Sequence, residues 1–409
     1  MRAKTKLKKT PIGEIPEDWE VVKLGKIIGY TKGKKPKMVA KEPKDGWLPY
    51  LSTEYLRNNN PTQFVKITGN EIIVEDGDIL LLWDGSNAGE FFLAKKGVLS
   101  STMVKIFLKK HVYDSLFLFY LLKHREPFLK GQTKGTGIPH VDKNVLNALL
   151  LPLPPLPEQK KIAEILRTVD EAIEKTDLAI EKTERLKKGL MQRLLTKGIK
   201  HERFKKTEIG EIPEEWRVVR IGDIGTFQYG ITVPGQAKDT GIKLIRITDI
   251  KDWGLDWENM PYCEISNAEF EKYRVNTGDI LFARIGATTG KTCYVDKDIP
   301  AVFASYLIRF NPMTNAISTL YLYYFTQSSI YWSQVDKLKH GQLKKGLNTK
   351  LLAIIKLPLP PLPEQKKIAE ILSTVDKKLE LLRKRKEKLE RIKKGLMKDL
   401  LTGRRRVKV

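Results

Sequence analysis

The residues best placed for chemistry are small polar and cationic side chains in glycine-bounded loops. Residues 85–89 read GSNAG and residues 286–290 read GATTG. Each follows an apolar run, DGDILLLW at 76–83 and GDILFAR at 278–284. Hydroxyls, amides and cations in such loops suit phosphate oxygens and base edges. Catalysis needs more, and each catalytic reading fails. Residues 286–292 (GATTGKT) approach a phosphate-binding loop, but three residues separate the first Gly from the Gly-Lys pair, where four are needed. The loop at 85–89 has no Lys. No G-x-G-x-x-G opens a helix after a strand, so no dinucleotide or methyl-donor pocket is expected. Asn311-Pro312-Met313 is not the Asn-Pro-Pro-Tyr arrangement that holds a flipped base. Asp76, Asp78 and Asp279 begin strand-like runs, where turn residues are a plainer reading than nuclease carboxylates. Cys263 and Cys293, with His111, His124, His140, His201 and His340, show no metal-ligand spacing. No catalytic residue, metal or cofactor is expected.

The strongest bulk signal is charge. Lys and Arg number 74 against 49 Asp and Glu, a formal net charge of +25. An excess of this size points to a polyanion, most simply nucleic acid. The plainer alternative is a lysine-rich, thermophile-like surface in which charge only solvates. No apolar run reaches the length of a membrane span, and the Lys-rich start lacks the apolar region of a secretory signal. A cytoplasmic location without membrane contact is expected.

The elements that position these loops come in two copies. Residues 151–170 read LPLPPLPEQKKIAEILRTVD and residues 357–376 read LPLPPLPEQKKIAEILSTVD, differing only at Arg167 against Ser373. Residues 10–25 (TPIGEIPEDWEVVKLG) return at 207–222 as TEIGEIPEEWRVVRIG, with Trp19 and Trp216 as candidate core anchors. The chain is therefore two copies of one unit. In each copy, strands around the glycine loop precede an apolar helix, expected near 113–130 and 318–336. The glycine-rich loops 131–140 and 341–348 follow. The alternate prolines imply an extended path unsuited to sheet pairing, and an SH3-type ligand is the competing reading of them. Pro157 and Pro363 open helices, with Glu158 and Glu364 suited to the helix dipole. Residues up to Lys9 read as a frayed basic arm, and 404–406 as a flexible tail.

Long helices follow both proline segments. Steps of four and three select Ile162, Leu166, Val169, Ile173, Thr176, Ile180, Thr183, Lys187, Leu190 and Leu194 in the first. In the second they select Ile368, Leu372, Val375, Leu379, Leu382, Lys386, Leu389, Lys393, Leu396 and Leu400. That spacing is a coiled-coil seam. Each helix spans roughly 60 Å. High effective concentration favours pairing within the chain, and near-equal copies favour an antiparallel arrangement. Lys187, Lys386 and Lys393 interrupt the seam, and snorkelling to solvent is preferred over a register-setting role. Ile165, Leu186 and Leu190 would leave an outer apolar face.

Two variable units, each leading through LPLPPLPEQ into a long helix, resemble the specificity subunit of a type I restriction–modification system. GDILFARIGATTGK at 278–291 and GTGIPH at 135–140 are also similar to stretches of that family, whereas 344–349 (KKGLNT) depart from the latter. The resemblance covers essentially the whole chain. It implies an α+β fold with two pseudo-symmetric α/β target recognition domains separated by two long antiparallel helices forming a coiled coil. The expected division is residues 1–156 and 201–362 for recognition, 157–200 and 363–403 for helices, and 404–409 for a basic tail. Each domain would read half of a bipartite, asymmetric site in double-stranded DNA. The helices would set the separation of the halves and dock two methyltransferase subunits, with restriction subunits joining outside. Adenine methylation and ATP-driven cleavage would belong to those partners.

The unit loops supply the expected DNA contacts. In the first unit these are Lys32, Lys34, Lys35, Arg57, Ser86, Asn87 and Lys134. In the second they are Arg246, Arg284, Thr288, Lys291, Lys344 and Lys345. For each, a solvated surface group is the plainer alternative. Two other classes compete for the whole chain. A self-contained restriction or methyltransferase enzyme needs a methyl-donor or nuclease motif. A basic coiled-coil scaffold that binds nucleic acid without reading sequence has no use for two divergent loops.

Overall fold

The structure is a computed structural model describing residues 6–135, 137–251, 254–313, 315–340 and 346–408. The chain folds as two compact units, residues 1–176 with 385–409, and residues 177–384.

In the first unit a four-stranded antiparallel sheet runs Phe91–Leu93, Ile79–Leu82, Met103–Leu108, Ile28–Lys32. Every residue of Ile79–Leu82 is buried, which explains its unbroken apolar run. A second sheet includes the parallel pair Trp47–Leu51 and Gly97–Leu99. Helix Ser115–Lys130 starts on Asp114, whose Oδ1 accepts from the Phe117 amide at 2.9 Å. Its Phe117, Tyr120 and Leu121 share a core with Ile79, Leu81 and Ile106.

The second unit repeats this order. Its antiparallel sheet runs Gly225–Tyr229, Leu307–Pro312, Ile280–Ala283, Thr292–Tyr294, and its parallel pair is Lys243–Ile245 with Ala301–Phe303. One helix was expected at 318–336, and two form, Thr319–Thr326 and Ser329–His340. The break lies at Ser328, whose Oγ accepts from the Tyr331 amide at 3.3 Å and starts the second helix.

Two local expectations need correction. Leu7–Lys9, at the end of the arm expected to fray, belong to strand Leu7–Thr10, which pairs with Gly13–Pro16 in a hairpin. The proline segments also enter sheets: Leu150–Leu153 pairs with Glu20–Lys23, and Lys356–Leu359 with Arg217–Arg220. Antiparallel pairs alternate between bonded and non-bonded positions. Leu24 donates to the Leu149 carbonyl and Ile221 to the Ile355 carbonyl. Counting from there, Pro152 opposite Val21 and Pro358 opposite Val218 fall at non-bonded positions. The missing N–H is not needed there.

The long helices span Leu156–Lys197 and Leu362–Leu400. In the first unit the start of one lies beside the end of the other, since Ile162 and Leu166 share a core with Leu400 and Leu401. In the second unit Leu194 and Leu195 share a core with Ile368 and Leu372. The helices are therefore antiparallel in each unit. Ile162, Leu166, Leu194, Ile368, Leu372, Leu379 and Leu400 are buried, and Val169, Ile173, Ile180, Leu190, Val375, Leu382, Leu389 and Leu396 are half-buried. Snorkelling is not what two of the seam lysines do. Lys187 pairs with Asp376 at 2.6 Å and Lys393 with Asp170 at 2.5 Å, both across to the opposite helix. Each carboxylate also accepts from a tyrosine, Tyr324 or Tyr120. These ion pairs mark register. Lys386 lies 3.9 Å from Glu390 on its own helix. The expected outer face is not continuous. Leu186 is exposed, but Ile165 and Leu190 pack partly against the two cores.

Candidate nucleic-acid interface

Each unit is tied to its helix by the repeated Pro-Glu-Gln. Glu158 was expected to face the helix dipole, but it is buried, and its Oε2 accepts from the Trp19 indole N–H at 3.0 Å. Gln159 donates through Nε2 to the carbonyls of Val112 (3.0 Å) and Pro154 (2.8 Å) and accepts from the Asp114 amide at 2.8 Å. The second unit repeats this. Glu364 accepts from the Trp216 indole, and Gln365 bonds the Ala316 and Pro360 carbonyls and the Ser318 amide. One amide side chain thus joins the start of the long helix to the segment leading into the unit's apolar helix. Its three bonds tie the two segments together.

The copies differ in what holds the glutamate from outside. In the first unit Arg406 donates to both oxygens of Glu158 at 2.7 Å and to both oxygens of Asp18 at 2.8 Å. The expected flexible tail is therefore anchored at Arg406. In the second unit His201 Nε2 lies 2.9 Å from Glu364. The Arg406 hydrogen bonds hold the Asp18 carboxyl below its ordinary value of 3.8. Glu158, then Asp18, raises the Arg406 value. A depressed carboxyl stabilises fully above its unfolded value and loses that contribution as pH falls through the folded one. Protection of the amides of residues 404–408, relative to their intrinsic exchange at the same pH, is therefore expected to fall once pH drops below 3.8. Unchanged protection there would show that Asp18 adds nothing to the anchor.

Beyond the clamp, each sheet ends in a rim. In the first unit the loop at 84–89 and the loop at 134–140 meet, with Gly85 donating to the Pro139 carbonyl and Lys134 and His140 exchanging both backbone bonds. Ser86 and Asn87 are exposed there. Lys32 reaches Asp84 at 2.7 Å, Lys134 reaches Asp142 at 2.6 Å, and Arg57 pairs with Glu90 at the loop's end. These cations are exposed yet already paired. Their carboxylates hold them in place, and contact with phosphate must compete with them. Lys34 and Lys35 are exposed on the segment after Lys32. Lys143, absent from the expected set, lies 5.9 Å from the Tyr30 ring, which meets Trp83 in a tilted pair with centroids 5.3 Å apart.

Where the second unit's rim is described, two of its backbone bonds match those of the first. Arg284 donates from its amide to the Tyr306 carbonyl as Trp83 does to Thr102, and Leu347 donates to the Arg284 carbonyl as Val141 does to Trp83. Arg284 thus occupies the position of Trp83. Thr288 is half-buried in the loop, and Lys291 follows it. Arg246 is held on Asp249 through its amide and two guanidinium nitrogens, a contact that closes a local turn. Lys344 and Lys345 lie outside the described residues. Tyr229 and Tyr306, absent from the expected set, are exposed at this rim. Tyr229 ends one strand and Tyr306 precedes another, so only strand pairing brings them beside Arg284.

A duplicated α+β scaffold, carried on antiparallel helices and ending in two unlike basic rims, defines a two-module recognition protein. Residues 16–182 and 213–391 match the family described as Type I restriction modification DNA specificity domain. The chain belongs to that family, whose curated relatives are named specificity subunits, and it is a recognition subunit rather than a catalytic one. It is 45% identical over 401 residues to the Type I restriction enzyme MjaVIII specificity subunit of Methanocaldococcus jannaschii, covering 96% of this chain and 94% of that one. It is 25% identical over 372 residues to the Type I restriction enzyme EcoBI specificity subunit of Escherichia coli, covering 87% and 78%. The crystal structure of a type I system S subunit from M. genitalium has a similar fold. Its TM-score is 0.66 at 19% identity, over 94% of this chain and 96% of that one. Among the described residues no helix is long and apolar enough to cross a membrane.

Proposed function

We propose that each unit reads one half of a bipartite, asymmetric site in double-stranded DNA. Residues 1–156 and 201–362 are the recognition domains in this reading. One observation carries it. Among the described residues the two rims share backbone bonds, but one presents Trp83 and Asp84 where the other presents Arg284 and Ile285. Equal frames with unequal side chains suit two different half-sites. The rim residues named above, with Lys34, Lys35, Lys344 and Lys345, form the contact set. The paired helices act as the spacer, and their seam residues hold its register. Readers on one face of a duplex lie about one turn, roughly 34 Å, apart. Helices of about 60 Å are long enough to hold such a separation. Two methyltransferase subunits dock on the repeated helix surfaces, restriction subunits join through them, and the complex works in the cytoplasm.

Selection of bound duplexes from a random pool tests this, with and without methyltransferase subunits and at two salt concentrations. Two short, different motifs at a fixed gap are expected, bound roughly a thousandfold or more tighter than unrelated sequence. Replacing residues 26–150 with the same region of a relative should change one half-motif and leave the other. Recovery of no motif, with affinity that only collapses as salt rises, would leave a general polyanion binder.

A further inference from the structure

The two rims are not equally satisfied. Four buried polar side-chain atoms among the described residues have no hydrogen-bond partner: Tyr30 Oη, Arg284 Nε, Thr288 Oγ1 and Arg309 Nε. Buried polar groups are normally paired, so an exception asks for a reason. Arg309 has one close by. Its other nitrogens donate to the Arg274 carbonyl, Gln228 and Asp279, and it braces the sheet. The other three atoms lie at the rims, two of them on the rim of the second unit.

Arg284 has five N–H donors. Among the described residues its side chain makes one hydrogen bond, from Nη1 to the Ser305 carbonyl at 3.2 Å. No carboxylate among the described residues pairs with it. Its guanidinium instead lies 4.9 Å from the centre of the Tyr229 ring. The other arginines and lysines of the expected set whose partners are known, Lys32, Arg57, Lys134 and Arg246, are each held by a carboxylate. Stacking fixes the plane of a guanidinium without consuming its N–H groups. The side chain is therefore oriented, charged and nearly unspent, with the half-exposed Tyr306 beside its backbone.

We propose that Arg284 is the specificity-determining residue by which the second unit reads a guanine. Its guanidinium, held against the Tyr229 ring, donates through its terminal nitrogens to O6 and N7 in the major groove, where a planar fork matches two acceptors. Turning to the base costs at most the Ser305 hydrogen bond and leaves no carboxylate of the described residues unpaired. Thr288, with its unpartnered hydroxyl, lies in the same loop and completes the contact. The first unit has Trp83 in place of Arg284, so this contact belongs to one half-site only. The assignment rests on the half-site reading above.

The test is duplex selection with the full chain and methyltransferase subunits, comparing native protein with Arg284→Ala, Arg284→Lys and Arg284→Gln. Native protein should require guanine at one position of one half-motif by about tenfold or more, the discrimination of a bidentate pair. Arg284→Ala should abolish that preference and leave the other half-motif intact, which also reports a folded chain. Arg284→Gln should move the preference toward adenine, whose N6 and N7 suit an amide. Arg284→Lys keeps charge without the fork and should weaken the preference while retaining affinity. Uniform weakening by Arg284→Ala with every base preference kept would make Arg284 a phosphate contact and overturn the proposal. If native protein selects no motif, the half-site reading fails and the assignment falls with it. If it selects two motifs without a guanine sensitive to residue 284, only the assignment fails.

Discussion

Gln159→Leu is expected to destabilise the first unit by about 3–5 kcal/mol, more than most single substitutions. Leucine matches the size of glutamine but offers no polar atom. Three groups lose their partner at once, the carbonyls of Val112 and Pro154 and the amide of Asp114. Gln159 itself is fully buried. Each orphaned buried group costs about 1–3 kcal/mol. Gln159→Glu should be no better, because it turns two donors into acceptors facing two carbonyls. Gln365→Leu should do the same to the second unit through Ala316, Pro360 and Ser318. Amide exchange read separately in each unit checks this, with the untouched unit as internal control. A loss under about 1 kcal/mol would mean that water satisfies these groups and that the amide is not a strut.

The second large effect is at Glu158. Glu158→Ala is expected to cost about 2–4 kcal/mol, since it strands a buried indole donor and removes the inner carboxylate of Arg406. Arg406→Ala should approach that cost, because it leaves the carboxylate buried against the indole alone. The double substitution should cost less than the sum of the singles, which a double-mutant cycle measures. The exposed pair Arg167–Glu171 is the control. Arg167→Ser should change stability by about 0.5 kcal/mol or less. That also accounts for the one difference in the repeated segment, where the second copy has Ser373. If Arg406→Ala were as mild as Arg167→Ser, the C-terminal anchor would be incidental to stability.

The repeats, the seam and the apolar strands could be read without coordinates because they are periodic and local. A heptad or a buried strand writes its pattern into consecutive residues. The roles of Glu158, Gln159 and Arg406 could not. Glu158 and Gln159 stand in the first turn of a helix, where sequence suggests a dipole contact or solvent. Their partners lie far along the chain, Trp19 and Arg406 for Glu158 and Val112 and Asp114 for Gln159. The cross-helix lysines show the same limit. Lys187 and Lys393 look like faults in an apolar seam until Asp376 and Asp170 stand opposite them.

By itself the sequence determined that the chain is duplicated, basic, built on two seam-bearing helices and without a catalytic motif. Those properties depend on composition and short-range spacing. Only the tertiary structure decided which cations at the rims are spent and which are available. Lys32, Arg57, Lys134 and Arg284 look alike as isolated residues, yet the first three face carboxylates and the last lies on a tyrosine ring. That distinction comes from strand pairing and loop closure, which bring together residues distant in the chain, and pair energies are set by what stands opposite a side chain in space.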